Sequence, residues 1–314
     1  MELTVLAPQR CRFYDGGDPG DADGVGAQPP DPNKEVVVVL DRKVVPGKGG
    51  QPSEVFLLRR RIAYLDRHCG EIIVPPSYDD FPTDLTSVPT LFTWLVPRTG
   101  AHLPAALVHD GLIWERGPGK SQTYISTEGK EIHRVEADRI FRDGMADTGT
   151  GLVRRWMVWA AVTLATMVSR EGASPRALLR TYYRWIVVAT LATIGWLGYA
   201  ATADLFDRSG QWWLTADLPW MGEGSFGWEL LTGAAGAVVI PLALGLLWGA
   251  FRRAGWIAGV AIAMLFHVTI ALLAVTGVYL VLEWVAGKLS AVGLSVLALA
   301  VVVAAIALFL VGLG

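Results

Sequence analysis

Four side chains could take part in acid–base or metal chemistry: Asp84, His109, Asp110 and Asp138. His109 and Asp110 are adjacent in an apolar segment, and Asp84 lies in a turn rich in Thr and Ser (TDLTS, 83 to 87). Asp138 falls on the apolar stripe of a later segment, where a carboxylate needs a partner because burying it unpaired is costly. If the four converge in one pocket, they favour a hydrolytic site.

Two other interpretations of the same residues are open. Asp138 could bond His109 and so hold two helices together, while Asp84 and Asp110 cap turns or helix ends, as Asp side chains commonly do. Alternatively, these residues could bind a metal ion without catalysis. If Asp84 faces His109, the group gains a third acid and the hydrolytic interpretation is strengthened.

The elements that must position these residues are a small sheet and three helices. Strands are predicted where β-branched and aromatic residues are bounded by Gly or Pro. They cover Glu35 to Asp41, Glu54 to Asp66 and Glu71 to Pro75, and one more short strand is expected before Tyr14, ahead of a flexible Gly-, Asp- and Pro-rich loop that ends near residue 35.

Apolar residues at spacings of three and four predict the helices Leu103 to Glu115, Ile132 to Asp147 and Leu152 to Arg170. The third has an uncharged run too short for a membrane span, so it is expected to close the domain. The expected fold class is α+β: a small antiparallel sheet followed by a three-helix layer, over residues 36 to 172.

Several motifs occur in a characteristic order: IIVP (72 to 75), TDLTSVP (83 to 89), AALVHD (105 to 110), EADRIF (136 to 141) and RRWMVWAA (154 to 161). This order resembles the bacterial and phage family named domain of unknown function 1353, over roughly residues 36 to 168. The resemblance implies a small mixed domain, frequent in phage-derived genomes, and it supplies no established activity. One departure is Ile113, at a position where the family commonly has an aromatic residue.

A second, local resemblance bears on chemistry. An HD pair on one helix, with Asp138 and then Phe141 on the next, is similar to the helical core of the phospholipase A2 superfamily. The similarity implies that His109 takes a proton from the attacking water, that Asp138 orients His109, and that Asp110 binds a metal. Calcium is then the divalent cation expected, if any cofactor is bound.

Composition limits the class of protein. The chain has 314 residues, of which 52% are hydrophobic, and its mean hydropathy of +0.40 is too high for an ordinary soluble protein. Its net charge is -2, and no basic stripe with interleaved aromatics occurs, so nucleic acid is not expected as a partner. Cys11 and Cys69 are too far apart for a CxxC motif and could form at most one disulfide.

The second half of the chain predicts a membrane region after a basic amphipathic connector at 173 to 184. Four segments are long and apolar enough to cross a bilayer. They are Trp185 to Ala203, Leu230 to Phe251, Trp256 to Leu282 and Leu289 to Gly312. Gly245 and Gly249 form a GxxxG pair that could receive a second copy or another protein, and His267 falls in the middle of the third span.

Charge predicts the orientation of these spans. Arginines precede the first span and separate the second from the third, whereas the loop from Asp204 to Glu229 is acidic and rich in Trp. Both termini are therefore expected in the cytoplasm. The sequence predicts a multi-pass protein of the inner (plasma) membrane, bound to the lipid bilayer, whose cytoplasmic domain is an interaction module with a His–Asp pair. The alternative is a membrane-anchored, metal-assisted hydrolase that uses His109 as base.

Overall fold

The computed structural model describes the chain in ten stretches, to which all structural statements below refer. They are residues 12–20, 26–46, 52–77, 83, 100–114, 123–169, 173–215, 217–222, 224–288 and 293. Asp84 and, except for Gly293, the predicted fourth span lie outside them. The chain forms two compact units, Met1–Met264 and Leu265–Gly314.

Six strands form two small antiparallel sheets. The strands are β1 (Phe13–Asp15), β2 (Leu40–Pro46), β3 (Pro52–Leu58), β4 (Ile62–Asp66), β5 (Gly70–Val74) and β6 (Ile125–Ser126). One sheet has the order β1-β4-β5-β6, and β2 pairs with β3 in the other. Within the larger sheet, Tyr64 is paired with both Phe13 and Ile72.

Two strand predictions differ from the structure. The strand expected from Glu35 begins only at Leu40, and the strand expected from Glu54 to Asp66 is interrupted at residues 59–61. At the interruption the backbone changes partners: the N–H of Arg59 bonds the carbonyl of Val39, whereas Arg61 exchanges bonds with residues 16 and 17. One predicted strand therefore serves two sheets, and the change falls at the three arginines 59–61.

The described residues form seven α-helices, of which the first lies between β5 and β6 and the others follow β6. They are α1 (Leu103–Ile113), α2 (Arg134–Asp147), α3 (Leu152–Val168), α4 (Ala177–Leu205), α5 (Phe226–Leu246), α6 (Arg252–Met264) and α7 (Phe266–Ala286). The first three agree with the predicted helices of the domain, so the mixed α/β class with a small antiparallel sheet is confirmed.

The core of the domain lies between the larger sheet and helices α1 to α3. Because side chains alternate along a strand, Ile62 and Tyr64 of β4 face this core, while Ala63 faces a smaller cluster with Tyr14 and Ile73. The helices contribute residues such as Leu107, Ile140, Phe141, Val158 and Val162. Each large apolar side chain buried here contributes about 1.5–3 kcal/mol.

Helix α3 also packs against α4 and α6. Ala160 and Met167 of α3 share a second buried cluster with Val187 of α4 and with Trp248 and Phe251 of the α5–α6 turn. Within this cluster the indole N–H of Trp248 donates to Oγ1 of Thr190 at 3.1 Å. The closing helix of the domain thus packs against α4, the α5–α6 turn and α6.

The described part of the chain contains three helices long and apolar enough to cross a membrane, rather than the four predicted. They are Ala177–Leu205, Phe226–Leu246 and Phe266–Val285. The expected third span, Trp256 to Leu282, is divided at Leu265 into α6 and α7. As a result His267 is the second residue of α7, at its beginning rather than at mid-span.

Small residues allow α5 and α6 to approach closely. A Cβ on Gly245 would lie 2.4 Å from Cδ1 of Trp256, and one on Gly259 would lie 3.0 Å from Cβ of Pro241. Gly249, the other half of the predicted GxxxG pair, lies in the turn with φ +56°. Gly245 therefore serves a helix contact within the chain, and Gly249 serves a turn.

Candidate functional site

Helices α1 and α2 position the His–Asp pair. Pro104 suits the first turn of α1, where its missing N–H costs nothing. Further along, Ala105 of α1 packs against Gly144 of α2: a Cβ at Gly144 would lie 3.2 Å from Cβ of Ala105. His109 is one turn after Ala105, on the same side of α1, so the close approach of the two helices brings it to α2.

The imidazole of His109 is bonded to Asp138. Its Nε2 lies 3.0 Å from Oδ1 of Asp138, and each residue is only 2% exposed. Phe141 stacks on the same imidazole, with ring centroids 4.7 Å apart and an angle of 21° between planes. Asp138 and Phe141 are one helical turn apart on α2. The helix therefore holds the imidazole by a hydrogen bond at the edge of the ring and by a stacking contact on its face.

One oxygen of Asp138 is left over. Within the described structure, Oδ2 is buried and has no hydrogen-bond partner. A buried polar atom without a partner is uncommon and calls for a physical explanation, such as stored strain, a catalytic role or a bound donor. With an ionised Asp138, the neutral His109 would carry its proton on Nε2 and present Nδ1 as the proton acceptor.

Asp110 belongs to a different set of contacts. Oγ1 of Thr83 donates to its Oδ2 at 2.7 Å, and both residues are buried. Thr83 is in turn paired with Phe56 of β3 through two backbone hydrogen bonds of 2.8 Å. Successive helical residues point about 100° apart, so α1 uses His109 to contact α2 and Asp110 to contact the β3 side.

The structure therefore brings together two of the four predicted site residues. His109 and Asp138 are in contact, Asp110 is bonded to Thr83, and Asp84 lies outside the described residues. Among the residues that are described, no group of three or more His, Cys, Asp or Glu side chains could hold a metal ion. The assignment of Asp110 as a metal ligand stays a prediction.

A buried ion pair next to the site was not predicted. Arg139, which follows Asp138, bonds Asp66 at 2.7 and 3.2 Å, and Asp66 also accepts the backbone N–H groups of His68 and Cys69. Burial alone would raise the pKa of Asp66, but these hydrogen bonds more than offset it, so the pKa lies below its ordinary value. An Asp that begins a turn is a local signal that could have indicated the backbone hydrogen bonds of Asp66. No local signal indicates its pairing with Arg139, 73 positions away.

A second polar contact joins the end of α2 to the sheet. The hydroxyl of Tyr64 donates to Asp147 at 2.8 Å, and Arg67 bonds the same carboxylate at 2.6 Å. Burial, and then the hydrogen bond to Asp147, raises the pKa of Tyr64 above its ordinary value. Helix α2 is therefore fixed to the sheet at Arg139 and at Asp147, and to α1 at Asp138.

Residues 56–162 match the family described as Protein of unknown function (DUF1353). This DUF1353 segment is less than half of the chain and contains His109, Asp110 and Asp138. The resemblance of the domain is thereby confirmed over these residues. No curated protein and no solved structure matches the chain.

Proposed function

We propose that this chain is an integral membrane protein that holds its DUF1353 segment at the cytoplasmic face of the plasma membrane, as an interaction module. The main support for this proposal is that the long apolar helices expose most of their residues instead of burying them in the protein. The most apolar windows of α4, α5 and α7 have mean hydropathies of 1.6, 1.8 and 2.0, yet only 28%, 11% and 0% of their residues are buried. Apolar surface of this extent is expected to face lipid.

The packing of α3 supports close attachment of the domain to the spans. Val158 and Val162 of α3 belong to the domain core, whereas Ala160 and Met167 pack with α4 and the α5–α6 turn. The guanidinium of Arg184 also donates to the carbonyl of Ser169, at the end of α3. A domain joined in this way moves with the membrane helices instead of swinging on a linker.

Charge supports the orientation. Arginines lie near the start of α4 and at the start of α6, whereas the end of α4 carries Asp204 and the α4–α5 loop carries Asp207 and Asp217 among exposed tryptophans. Loops that stay in the cytoplasm keep an excess of Lys and Arg. The family resemblance further supports an origin in a phage or mobile element, in which such a module would recruit a protein to the membrane.

Membrane integration is tested on the full chain. Cell membranes are washed with alkaline carbonate, which releases peripheral proteins; the chain is expected to stay in the pellet. Release into the supernatant would overturn the proposal. Orientation is tested with an impermeant maleimide in a background with Cys11→Ser and Cys69→Ser. Gln211→Cys, at an exposed position, should be labelled in intact cells. Lys130→Cys, also exposed, should be labelled only after lysis.

A second candidate function, a hydrolase acting on phospholipid, is favoured by one observation. A buried carboxylate that bonds an imidazole through one oxygen and leaves the other without a partner is unusual for a purely structural pair. In this function His109 would take a proton from water while Asp138 orients it. Asp110 would then be the residue to examine for calcium.

The hydrolase is tested with the full chain in mixed micelles of phospholipid and detergent, in calcium and in chelator. Fatty acid release that His109→Ala abolishes, and that His133→Ala leaves unchanged, would support it. His133 is a suitable control because it is an exposed histidine at the start of α2, the helix that carries Asp138. Equal release by the wild type and His109→Ala would rule the function out.

A further inference from the structure

The start of α4 lies beside the turn between α5 and α6. The hydroxyl of Tyr182 donates to the carbonyl of Leu247 at 2.6 Å. The next residue, Tyr183, packs edge-on against Phe251, with ring centroids 5.0 Å apart. Two segments that are some sixty-five residues apart in sequence are thereby adjacent.

This contact gathers arginines from both segments. Arg176 and Arg180 precede the two tyrosines on α4, and Arg252 and Arg253 directly follow Phe251. Arg176, Arg252 and Arg253 are exposed, and Arg180 is half-buried. We call these four residues the arginine surface.

The arginine surface lacks acidic partners. In the described structure none of its four residues forms a salt bridge, whereas Arg59, Arg60, Arg67 and Arg139 of the domain are each paired with a carboxylate. Its charge is therefore not neutralised within the described part of the chain. A group of unpaired guanidinium groups on an outer surface favours a negatively charged ligand, and the planar guanidinium suits phosphate oxygens.

Neighbouring side chains indicate where that ligand lies. Leu178 is 88% exposed and Trp185 is 69% exposed, next to the arginines on α4. Exposed Trp and Tyr beside arginines, at the end of an apolar helix, are typical of the headgroup level of a bilayer. Apolar side chains there can enter the acyl boundary while the guanidinium groups stay among the headgroups.

We infer that the arginine surface binds the phosphate groups of anionic phospholipids in the leaflet next to the domain. The inference rests on the proposed membrane function and adds a ligand to it. The Tyr182 and Tyr183 contacts place the two arginine-bearing segments side by side, so the charge comes from two separate parts of the chain. Because the domain is packed on α4 through α3, lipid binding here would also hold the domain against the membrane.

The test uses the full chain reconstituted into phosphatidylcholine vesicles. The vesicles contain a minor fraction of brominated phosphatidylglycerol or, in parallel, of brominated phosphatidylcholine, and quenching of Trp fluorescence gives the relative binding of the two lipids. The wild type is expected to prefer phosphatidylglycerol, and salt should weaken the preference. Arg252→Gln with Arg253→Gln should lower it by about tenfold, and Arg176→Gln with Arg180→Gln should act in the same direction.

The matched control is Arg208→Gln. Arg208 is exposed and follows the other end of α4, where it contacts Gln211, so its loss should leave the preference unchanged. Flotation of every sample separates the two proposals. A chain that floats but shows no preference, or keeps its preference in both double variants, overturns the lipid surface alone. A chain that does not float with the vesicles overturns the membrane function as well.

Discussion

Arg139 and Asp66 form a two-point ion pair that crosses from α2 to the end of β4. Nη2 of Arg139 lies 2.7 Å from Oδ2 of Asp66 and Nη1 lies 3.2 Å from Oδ1, and the Asp66 side chain is fully buried. The neighbouring residue, Asp138, bonds His109. Two consecutive side chains of α2 thus fix this helix to the sheet and to α1.

Replacing Asp66 by Asn is predicted to destabilise the domain in a pH-dependent way. The pKa of Asp66 is lowered in the folded state from an ordinary value of 3.8. Its carboxylate therefore contributes stability above that value, and the contribution is lost as pH falls through the folded-state pKa. Near neutral pH, Asp66→Asn should reduce the free energy of unfolding by about 3 kcal/mol.

Thermal melts of the full chain in detergent, from neutral to acidic pH, measure this difference. The wild type and Asp66→Asn should approach each other in Tm as the pH falls below the ordinary pKa of Asp66. The exposed pair Arg42–Glu54 supplies the control, since solvent screens this pair and Arg42→Gln should leave Tm nearly unchanged at every pH. A gap that stays constant down to acid pH would contradict the assignment.

The His109–Asp138 pair is predicted to be strongly coupled. Asp138→Ala leaves the buried N–H of His109 without a partner, which costs about 1–3 kcal/mol. His109→Ala leaves a buried carboxylate without one. The double variant removes both unpaired groups, so its destabilisation should be smaller than the sum of the single variants by about 1–3 kcal/mol. A double-mutant cycle on Tm or on chemical unfolding measures this, and strict additivity would show that the bond does not stabilise the fold.

Gly245→Ala is predicted to disrupt the contact between α5 and α6. The new Cβ would lie 2.4 Å from Cδ1 of Trp256 and 2.9 Å from its backbone nitrogen, so the helices must move apart. The cost should be about 1–3 kcal/mol, as in other overpacked sites. The control is Gly195→Ala in α4, where a Cβ meets nothing within 4 Å and a gain of up to about 1 kcal/mol is expected. Equal melting of the two variants in detergent would refute the close approach.

Trp248→Phe is predicted to weaken the packing of α4 on the α5–α6 turn. The change removes the indole donor and leaves Oγ1 of Thr190 buried without it, at a cost of about 1–3 kcal/mol. Trp213→Phe is the matched control, because Trp213 is 81% exposed. Thermal melts in detergent should show a loss for Trp248→Phe alone, and a comparable loss in both would mean that the hydrogen bond is unimportant.

Much of the fold could be predicted from local signals. The period of three to four residues located α1, α2 and α3, and β-branched runs located the strands of the sheet. Errors occurred where one predicted segment serves two elements. Residues 59–61 interrupt a run that looks continuous, and Leu265 divides a segment that hydropathy treats as one span. At residues 59–61 the boundary depends on backbone partners from distant parts of the chain.

The site shows the same division. The apolar stripe of α2 indicated that Asp138 needs a partner, and His109 was the partner considered. Neighbouring side chains diverge on a helix, and the contact of Asp110 with Thr83 joins residues 27 positions apart, which no local pattern predicts. The Asp66–Arg139 pair joins residues 73 positions apart, which no local pattern can predict.

The amino-acid sequence by itself determined the element types, the apolar helices and the resemblance of the DUF1353 segment, because these depend on periodicity, composition and motif order. The tertiary structure decided which polar groups meet: His109 with Asp138, Asp66 with Arg139, and Tyr182 with the carbonyl of Leu247. Those encounters depend on how closely packed helices approach and on which side of each helix faces its neighbour. Gly144 sets the approach of α2 to α1 that brings His109 to Asp138, and Gly245 sets the approach of α5 to α6, since at both positions a Cβ would meet the neighbouring helix.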